Sequence, residues 1–318
     1  MTAKRLSLYV SPPFVRVAFL TGALVLGGVL IACPAPGKKS ATIEIPFELA
    51  RNQVLLEAGI NDHGPLNVIL DTAGDPSAID LVTADSIEIF VDRGVEGEAS
   101  GVGSRRVPMY PARIVGLMLD GHSFSDVEAL ALDLSHVADR FGQPLHGILG
   151  HSFLKGRIVQ IDYPQRTLRF FADSSALTDA EPSPPILVVP MEFAPDDIAP
   201  LVEVFVNGHP VKVTIDTGSS LGLELFGAAV QRLGLEDARS TGVQGTVVGA
   251  RGEAEIRKLS VDSLRLGGHT ILDAEVAFRD WEEPGPRDGN LGNQVLQDFV
   301  LTLDYLSGTL SLALPPSE

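Results

Sequence analysis

The sequence predicts an all-β protein of two similar lobes with few short helices. Short β-branched or alternating apolar runs, bounded by Gly, Asn, Asp or Pro, occur along the whole chain. The same landmarks recur in both halves in the same order. In addition, 32 glycines and 22 prolines against 6% aromatic residues favour turns over long helices. No alternation of strands with helices, as in a parallel sheet, is visible.

The repeat consists of four landmarks. An apolar strand precedes Asp71-Thr72-Ala73-Gly74 in the first half and Asp216-Thr217-Gly218-Ser219-Ser220 in the second. Each motif is followed by a glycine-rich segment, a segment ending in Leu-Gly and a strand ending in Asp-Tyr. These are Gly94–Gly103, Ile148–Gly150 and Asp162-Tyr163, then Gly242–Gly252, Asn290–Gly292 and Asp304-Tyr305. The offsets agree to within three residues, so we predict two copies of one lobe, related by a pseudo-twofold axis.

The strands are predicted from short runs of this kind in both halves. In the first half they are Ala41–Glu48, Gln53–Ile60, Asn67–Leu70, Arg113–Leu119, Ile158–Asp162 and Thr167–Phe171. In the second half they are Ile186–Phe193, Ala199–Val206, Val211–Ile215, Ala254–Val261, Ala274–Phe278, Phe299–Asp304 and Thr309–Leu314. Asn207-Gly208 predicts a tight hairpin turn between two of them.

Three short helices and an exposed linker complete the prediction. The helices are Asp80–Ala84, Leu134–Phe141 and Phe226–Leu233. The stretch around residues 174–185 is rich in Ser, Asp and Pro, which is typical of a linker between domains. We therefore predict one lobe over residues 41–173, a linker over 174–185 and a second lobe over 186–318.

The N-terminus is predicted to be a targeting segment. Lys4, Arg5 and Arg16 precede an apolar stretch, Val17–Ile31, that is shorter than the roughly 20 residues of a membrane-spanning helix. The stretch ends just before Cys33, which is the single cysteine. This pattern resembles a bacterial lipoprotein signal. It implies a signal peptide over residues 1–32, a lipid on Cys33 and a tether over 33–40. The protein would then be held on a membrane of the cell envelope, facing the periplasm or the exterior. The alternative is a free thiol beside a short membrane anchor.

The composition excludes several classes of partner. A formal charge of −17 without a basic stripe argues against nucleic-acid binding. The seven histidines are scattered without metal-ligand spacing, so we predict no metal and no cofactor. His146 and His151 flank one Leu-Gly segment and could share a site, but two partly buried polar histidines beside a turn are the favoured interpretation.

The two aspartates suggest hydrolytic chemistry. Hydrolysis of a peptide bond without a covalent intermediate needs a base that activates water and an acid that protonates the leaving group. Two carboxyl groups about 3 Å apart supply both, because they cannot both ionise and so share one proton. Two similar lobes bring two such loops tip to tip. Asp71 and Asp216 are therefore the candidate catalytic residues.

These motifs resemble the lobes of retropepsin and pepsin-like aspartic proteases, duplicated in one chain, over roughly Ala41 to Leu314. The resemblance implies a bilobal acid-protease-like fold, an endopeptidase activity on peptide or protein substrates, and a Leu-Gly strand crossing behind each aspartate loop. It assigns Thr72 and Thr217 to hydrogen bonds across the two aspartates. It also makes the glycine-rich segments flaps, with Gly97, Gly101, Gly245 and Gly249 as candidate flap residues. Because one chain carries both halves, a monomer is expected.

The first aspartate loop departs from this pattern. Thr217, Gly218 and Ser219 fit the need for small residues and a hydroxyl after the aspartate, whereas Ala73 adds a Cβ and Gly74 lacks a hydroxyl. We therefore expect a working but asymmetric pair, with Asp71 in a less ordered and more water-exposed loop than Asp216. The alternative is a catalytically impaired, lipid-anchored protein that binds peptides in the same cleft.

Two further motifs have competing interpretations. Gly218–Gly222 matches the nucleophile elbow of α/β-hydrolases around Ser220, but the pattern lacks βα units and only His269 follows. Asp162 and Asp304 recur in both halves, yet each precedes a Tyr and a turn, so we predict that they form turns.

Overall fold

The structure is a computed structural model that describes residues 42–180, 184–193, 199–237, 241–279 and 287–315. The predicted signal peptide, Cys33 and the tether lie outside these residues. Within the described ranges, no helix is both long and apolar enough to cross a lipid bilayer.

The described residues contain 23 strands and six short helices, which confirms the all-β class. The strands of the first half are β1 (Thr42–Pro46), β2 (Glu48–Ala50), β3 (Gln53–Ile60), β4 (His63–Leu70), β5 (Ser77–Asp80), β6 (Gly97–Glu98), β7 (Pro108–Ile114), β8 (Met118–Leu119), β9 (His122–Ser123), β10 (Val127–Leu132), β11 (Gly147–Leu149), β12 (Ile158–Asp162) and β13 (Thr167–Phe171). Its helices are α1 (Leu81–Ser86), α2 (Ser135–Phe141), α3 (His151–Leu154) and α4 (Ser174–Ala180).

The second half has the same character. Its strands are β14 (Pro185–Pro190), β15 (Leu201–Val206), β16 (His209–Ile215), β17 (Leu223–Phe226), β18 (Val243–Gly249), β19 (Gly252–Leu266), β20 (His269–Arg279), β21 (Gly289–Leu291), β22 (Val300–Asp304) and β23 (Thr309–Ala313). Its helices are α5 (Gly227–Arg232) and α6 (Asn293–Leu296).

Each half builds a sheet in which the strands around the aspartate pair in the same way. The first sheet has the order β6-β7-β10-β5-β11-β4-β3-β8-β9, with β2 beside β3, and the second has β15-β16-β21-β17-β20-β19-β18. In both, the strand that leads to the aspartate pairs in parallel with the Leu-Gly strand, β4 with β11 and β16 with β21. The Leu-Gly strand then pairs antiparallel with the strand after the aspartate, β5 or β17.

A third sheet joins the two halves, in the order β1-β13-β12-β22-β23-β14. Its central strands β12 and β22 are the equivalent Asp-Tyr strands, paired antiparallel with Gln160 opposite Thr302. The Gln160 side-chain amide donates a hydrogen bond of 3.1 Å to the Thr302 hydroxyl. All five residues of each strand are buried. The two equivalent strands therefore pair inside the core, where the pseudo-twofold axis relates the two halves.

Several sequence predictions are confirmed in detail. Asn207 (φ 48°) and Gly208 (φ 80°) form the turn between β15 and β16, and their positive φ values are those that a tight hairpin requires. A carboxyl oxygen of Asp162 accepts the Gln165 N–H at 3.0 Å, which confirms its role in a turn. A carboxyl oxygen of Asp304 likewise accepts the N–H groups of Leu306 and Ser307, both at 2.9 Å.

One predicted strand differs from the structure, and one helix was not predicted. The predicted strand Arg113–Leu119 is wrong, because β7 ends at Ile114 and the chain turns through Gly116 (φ 59°) before β8 begins. The start of the predicted linker forms helix α4, for which the sequence predicted no secondary structure. Asp173 accepts the N–H groups of Ser175 and Ala176 at the start of that helix, and Ala176 packs on Ile158 and Phe171. The lobe boundaries themselves stay a prediction.

Candidate active site

Both aspartates leave their sheets in the same way. Asp71 follows β4, and its backbone N–H donates to the Leu149 carbonyl at 3.0 Å. Asp216 follows β16, and its N–H donates to the Leu291 carbonyl at 3.0 Å. The Leu-Gly strand therefore fixes the start of each aspartate loop.

The two loops are joined through Thr72 and Thr217, both of which are completely buried. The Thr72 N–H donates to the Thr217 hydroxyl oxygen at 3.0 Å, and the Thr217 N–H donates to the Thr72 hydroxyl oxygen at 3.1 Å. Each hydroxyl in turn donates to a carbonyl of the opposite strand, Thr72 to Ile215 at 2.7 Å and Thr217 to Leu70 at 2.9 Å. This reciprocal set holds the residues next to the two aspartates together.

The carboxyl group of Asp71 is held by backbone amides. One carboxyl oxygen accepts the N–H groups of Ala73 at 2.8 Å and Gly74 at 2.9 Å. Burial raises the pKa of Asp71, while these hydrogen bonds and one from the Gly218 N–H oppose the rise.

The pKa of Asp216 is raised well above its usual value. Burial is the largest cause, and the negative charges of Asp71 and Glu224 add to it. Hydrogen bonds from the Gly218 and Ser219 N–H groups oppose it. Because the charge of Asp71 acts on Asp216, the two carboxyl groups share one electrostatic environment and titrate as a unit.

The loop residues Gly218 and Ala73 occupy matched positions but are not interchangeable. A Cβ on Gly218 would lie 2.4 Å from Cγ of Asp71, a distance that no real contact allows. The matched residue of the first loop, Ala73, does carry a Cβ, so the two aspartate loops differ at this position.

The expectation that Asp71 lies in a less ordered and more water-exposed loop than Asp216 stays a prediction. Both side chains are partly buried, and Asp71 has backbone donors in place of the hydroxyl that Gly74 lacks. In the second loop the Ser219 hydroxyl oxygen accepts the Leu221 N–H at 3.3 Å.

A pair of contacting side chains lies behind each loop. Behind Asp216, the Tyr163 hydroxyl donates to the Asn293 amide oxygen at 2.5 Å, and the Asn293 amide donates to the Thr217 carbonyl at 2.6 Å. The matched residues in the other half are Tyr305 and His151, whose rings meet edge to face with centroids 5.5 Å apart. Burial lowers the pKa of His151, and the proximity of Asp75 opposes this effect.

The aspartates lie in a cleft of about 1520 Å³. Two hairpins also line it, and they contain the predicted flap segments. The first is formed by β6 and β7, and Gly101 near its tip lines the cleft. The second is formed by β18 and β19, and both Gly245 and Gly249 line the cleft. Gly97 is not among the described lining residues; it pairs with Met109 inside the first hairpin.

The tips of the two hairpins contact each other. The Arg105 N–H donates to the Arg251 carbonyl at 2.9 Å, and the Arg251 N–H donates to the Val102 carbonyl at 2.8 Å. His136 of α2 adds a contact from the first half, because its Nε2 lies 2.9 Å from the Gly249 carbonyl oxygen and 3.1 Å from that of Ala250. The cleft is thus bridged above the aspartates.

The competing sites gain no support among the described residues. Ser220 lines the cleft, but none of the described lining residues is a histidine that could act as its base. His146 Nδ1 accepts the Asn67 N–H at 2.9 Å, while His151 packs on Tyr305. The described ranges contain no group of three residues that could hold a metal ion.

Sequence analysis missed several residues that the structure brings to the site. Asn293, Tyr163 and Tyr305 support the loops from behind, and each occupies a fixed place after a repeated landmark, which is a signal that could have found them. Gln53 donates from β3 to the Gly218 carbonyl at 2.6 Å, and no sequence pattern indicates that contact. Glu224 lies inside the apolar strand β17, where an acidic residue is itself unusual.

Comparison with known proteins assigns the family. The family model described as "Aspartyl protease" matches residues 56–153 and 202–295, once in each half and together more than half of the chain. The chain belongs to the aspartyl protease family. Its duplication is explicit in the two matches. A crystal structure of a retropepsin-like aspartic protease from Rickettsia conorii is similar at 20% identity, with a TM-score of 0.32. That match covers 40% of this chain and 89% of the other. No curated protein matches the chain.

The contact between Gly218 and Asp71 predicts the effect of one added methyl group. Gly218→Ala would force its Cβ into the Asp71 carboxyl group, so we expect the free energy of unfolding to fall by about 1–3 kcal/mol. Urea unfolding measures this change. Gly222→Ala is the matched control, because its Cβ would meet Val295 at an ordinary 3.4 Å. Equal stability of the two variants would contradict the packing seen here.

The raised pKa of Asp216 predicts a pH-dependent effect on stability. Since the folded-state pKa lies above the ordinary value of 3.8, the ionised side chain destabilises the native state at pH values above the folded-state pKa. Asp216→Asn removes this charge. We expect its melting temperature to exceed that of the wild type by a few °C or more at pH 8. The gain should shrink as the pH falls through the folded-state pKa and vanish at about pH 4 or below.

Thermal unfolding across this pH range tests the prediction. The control is Asp262→Asn, which changes an exposed aspartate of β19. A gain for Asp216→Asn that stays constant from pH 8 to pH 4 would show that the pKa of Asp216 is not raised in the native state.

Proposed function

We propose that this protein is an aspartic-type endopeptidase that hydrolyses peptide bonds with a water molecule activated between Asp71 and Asp216. The reciprocal Thr72–Thr217 hydrogen bonds carry the proposal, because they join the two aspartate loops, and both aspartates line one cleft. Family membership supports a peptidase-type enzyme, and the cleft of about 1520 Å³ is larger than the roughly 300–1,000 Å³ of a small-molecule pocket, which suits a longer ligand such as a peptide.

The electrostatics of the pair favour one distribution of the shared proton. Burial raises the pKa of Asp216, and the negative charges of Asp71 and Glu224 raise it further, so the proposal assigns the shared proton to Asp216. Asp71 accepts three backbone N–H groups, which stabilise its ionised form. Asp71 is therefore the general base and Asp216 the general acid.

The reaction follows from that distribution. Asp71 removes a proton from water as the water oxygen attacks the peptide carbonyl carbon, and Asp216 donates its proton to the carbonyl oxygen. A neutral tetrahedral diol results, and Asp71 now carries the proton. Asp71 then protonates the leaving nitrogen as the C–N bond breaks, and Asp216 recovers a proton from the diol. No covalent bond forms between enzyme and substrate.

The two hairpin tips contact each other across the cleft and cover it. A substrate strand between them and the aspartates would be held extended and shielded from solvent, which strengthens the electrostatic interactions of the pair. The contact between Val102 and Arg251 must open for a long peptide to enter, since it bridges the cleft.

Removing one carboxyl group tests the proposed chemistry. Asp216→Asn keeps the shape of the side chain but cannot donate the catalytic proton, so we expect peptide cleavage to fall at least about 100-fold. The measurement is cleavage of denatured protein between pH 3 and 7, with and without the aspartic-protease inhibitor pepstatin. Asp262→Asn should cleave like the wild type.

Two results would contradict this assignment. Unchanged turnover by the Asp216 variant would place the chemistry elsewhere. Stable binding of peptides by the wild type without cleavage would favour a peptide-binding protein with the same cleft.

We further propose that the protein acts as a monomer held on an envelope membrane by a lipid on Cys33. Both aspartates come from one chain, so a second copy adds nothing to the pair. The position of Cys33, two residues after the end of the apolar stretch Val17–Ile31, supports the anchor.

A labelling experiment tests the anchor. In a bacterial host, the full chain should incorporate an alkyne fatty acid and sediment with membranes. Cys33→Ser should lose both properties, whereas the control Ser40→Ala should keep them. Membrane association of the Cys33 variant without label would favour an uncleaved N-terminal anchor.

A further inference from the structure

The peptide units that follow Asp216 point their N–H groups at the two carboxyl groups. The Gly218 N–H donates to both Asp71 and Asp216, and the Ser219 N–H donates to Asp216. In a planar trans peptide the N–H and the C=O point in opposite directions, so whatever fixes the carbonyl also fixes the N–H. The carbonyls of Thr217 and Gly218 therefore decide how well these donors reach the carboxyl groups.

Each of these two carbonyls accepts a hydrogen bond from a side-chain amide. Asn293 Nδ2 donates to the Thr217 carbonyl at 2.6 Å, and Gln53 Nε2 donates to the Gly218 carbonyl at 2.6 Å. Only the NH2 end of an amide can donate to a carbonyl oxygen, so the orientation of both side chains is defined. Because hydrogen bonds in a chain strengthen one another, a bond at the carbonyl makes the N–H of the same peptide a better donor.

Gln53 reaches the second aspartate loop from the first half of the chain. It begins β3 directly after a two-residue turn in which Arg51 (φ 48°) and Asn52 (φ 59°) both have positive φ. A turn of this kind joins β2 tightly to β3. Asn52 Nδ2 also donates to the Ser220 carbonyl at 3.2 Å, so the end of this hairpin contacts the loop at two points.

The matched position of the other half carries no such amide. Leu55 of β3 and Leu201 of β15 each lie opposite the residue two places before an aspartate. Gln53 stands two residues before Leu55, and Ala199 stands two residues before Leu201. Gln53 therefore corresponds to Ala199, whose methyl group cannot donate a hydrogen bond to the first loop.

Asn293 is replaced in the same way. It directly follows one Leu-Gly segment, and His151 directly follows the other. Nδ1 of His151 is buried and has no hydrogen-bond partner within the described part of the chain. Both amide contacts thus fall on the loop of Asp216, which the proposed reaction uses as the acid.

From this one-sided contact we infer that Gln53 is a positioning residue for the general acid: it holds the Gly218–Ser219 peptide so that the Ser219 N–H stabilises ionised Asp216. The inference rests on the proposed function. Asp216 becomes ionised when it gives its proton to the peptide carbonyl oxygen, so a donor already aimed at the carboxylate favours that step. Gln53 acts through the peptide unit and does not touch the reacting atoms.

A variant without the amide tests this role on a fluorogenic peptide that the wild type cleaves. Gln53→Met keeps the length of the side chain but removes the donor, so we expect the pKa of Asp216 to rise. The alkaline limb of the kcat/KM profile should then move at least about half a pH unit to higher pH. A weaker acid gives up its proton less readily, so the plateau should fall at least about threefold. A purely structural loss would lower kcat/KM without moving the limb. The variant keeps the titratable groups that interact with Asp216, which are Asp71, Glu224 and Tyr163.

The neighbouring side chain supplies the matched control. Asn52→Gly removes an amide contact to the same loop, and glycine suits the positive φ at this position. The peptide that Asn52 holds sends its N–H, that of Leu221, to the Ser219 hydroxyl oxygen at 3.3 Å and not to a carboxyl group. The alkaline limb of this variant should coincide with that of the wild type.

A double-mutant cycle separates this inference from the proposed reaction, because it needs no cleavage. The gain in melting temperature on Asp216→Asn at pH 8 is measured in the wild type and in Gln53→Met. Without Gln53 the ionised Asp216 destabilises the native state more, so the gain should be at least about 2 °C larger in Gln53→Met. Gln53→Ala, which installs the residue of the matched position, repeats the cycle if methionine disturbs the fold.

The outcomes of the two experiments are distinguishable. A larger gain in a protein that cleaves no peptide would support the action of Gln53 on Asp216 and reject the proposed function. An equal gain in both backgrounds would overturn the inference, whether or not peptides are cleaved. A larger gain without a shifted limb in an active enzyme would also overturn it, since Gln53 would then act on the charge of Asp216 without affecting the reaction.

Discussion

The reciprocal hydrogen bonds between Thr72 and Thr217 are the constraint on which the active-site arrangement depends. Each hydroxyl accepts an N–H from the opposite loop and donates to a carbonyl of the opposite strand, so the hydroxyl must do both. A valine has the same shape but would leave a buried N–H and a buried C=O unpaired, at about 1–3 kcal/mol each. The aspartates cannot separate without breaking these bonds, and the position of one carboxyl group thereby fixes that of the other.

Around this symmetric centre the surroundings differ. Asp216 has Glu224 nearby and the Tyr163–Asn293 hydrogen bond behind its loop. Asp71 has the ring contact between His151 and Tyr305 behind it. The backbone places the two carboxyl groups alike, and the side chains around them make their proton affinities unequal. A pair that shares one proton needs this inequality if one member is to be the acid and the other the base.

The features that could be predicted from the sequence are those that a short, repeated residue pattern encodes. The Asp216 motif follows an apolar strand that recurs with its downstream landmarks, so the fold class and both aspartates could be predicted from the repeat. The strands β5 and β17 were missed because each is four residues long and is defined by partners far along the chain. Glu224 and Arg279 stand 55 residues apart and meet only through that pairing, so spacing alone could not join them. The hydrogen bonds of Asp71 were not predicted, because the sequence shows which side chains follow the aspartate but not which backbone amides point at its carboxyl group.

Duplication within one chain is what allows the two walls to diverge. In a pair of identical lobes, every residue of one wall recurs in the other, so a glutamine at the position of Gln53 would appear twice and hold both aspartate loops alike. Here the antiparallel pairing of β12 with β22 relates the two halves as a twofold axis relates the subunits of a dimer, with Gln160 opposite Thr302 at its centre. The covalent connection lets Ala199 correspond to Gln53 and Ala73 to Gly218. A substitution that would occur twice in a symmetric dimer occurs here once, and the two walls of the cleft become distinguishable.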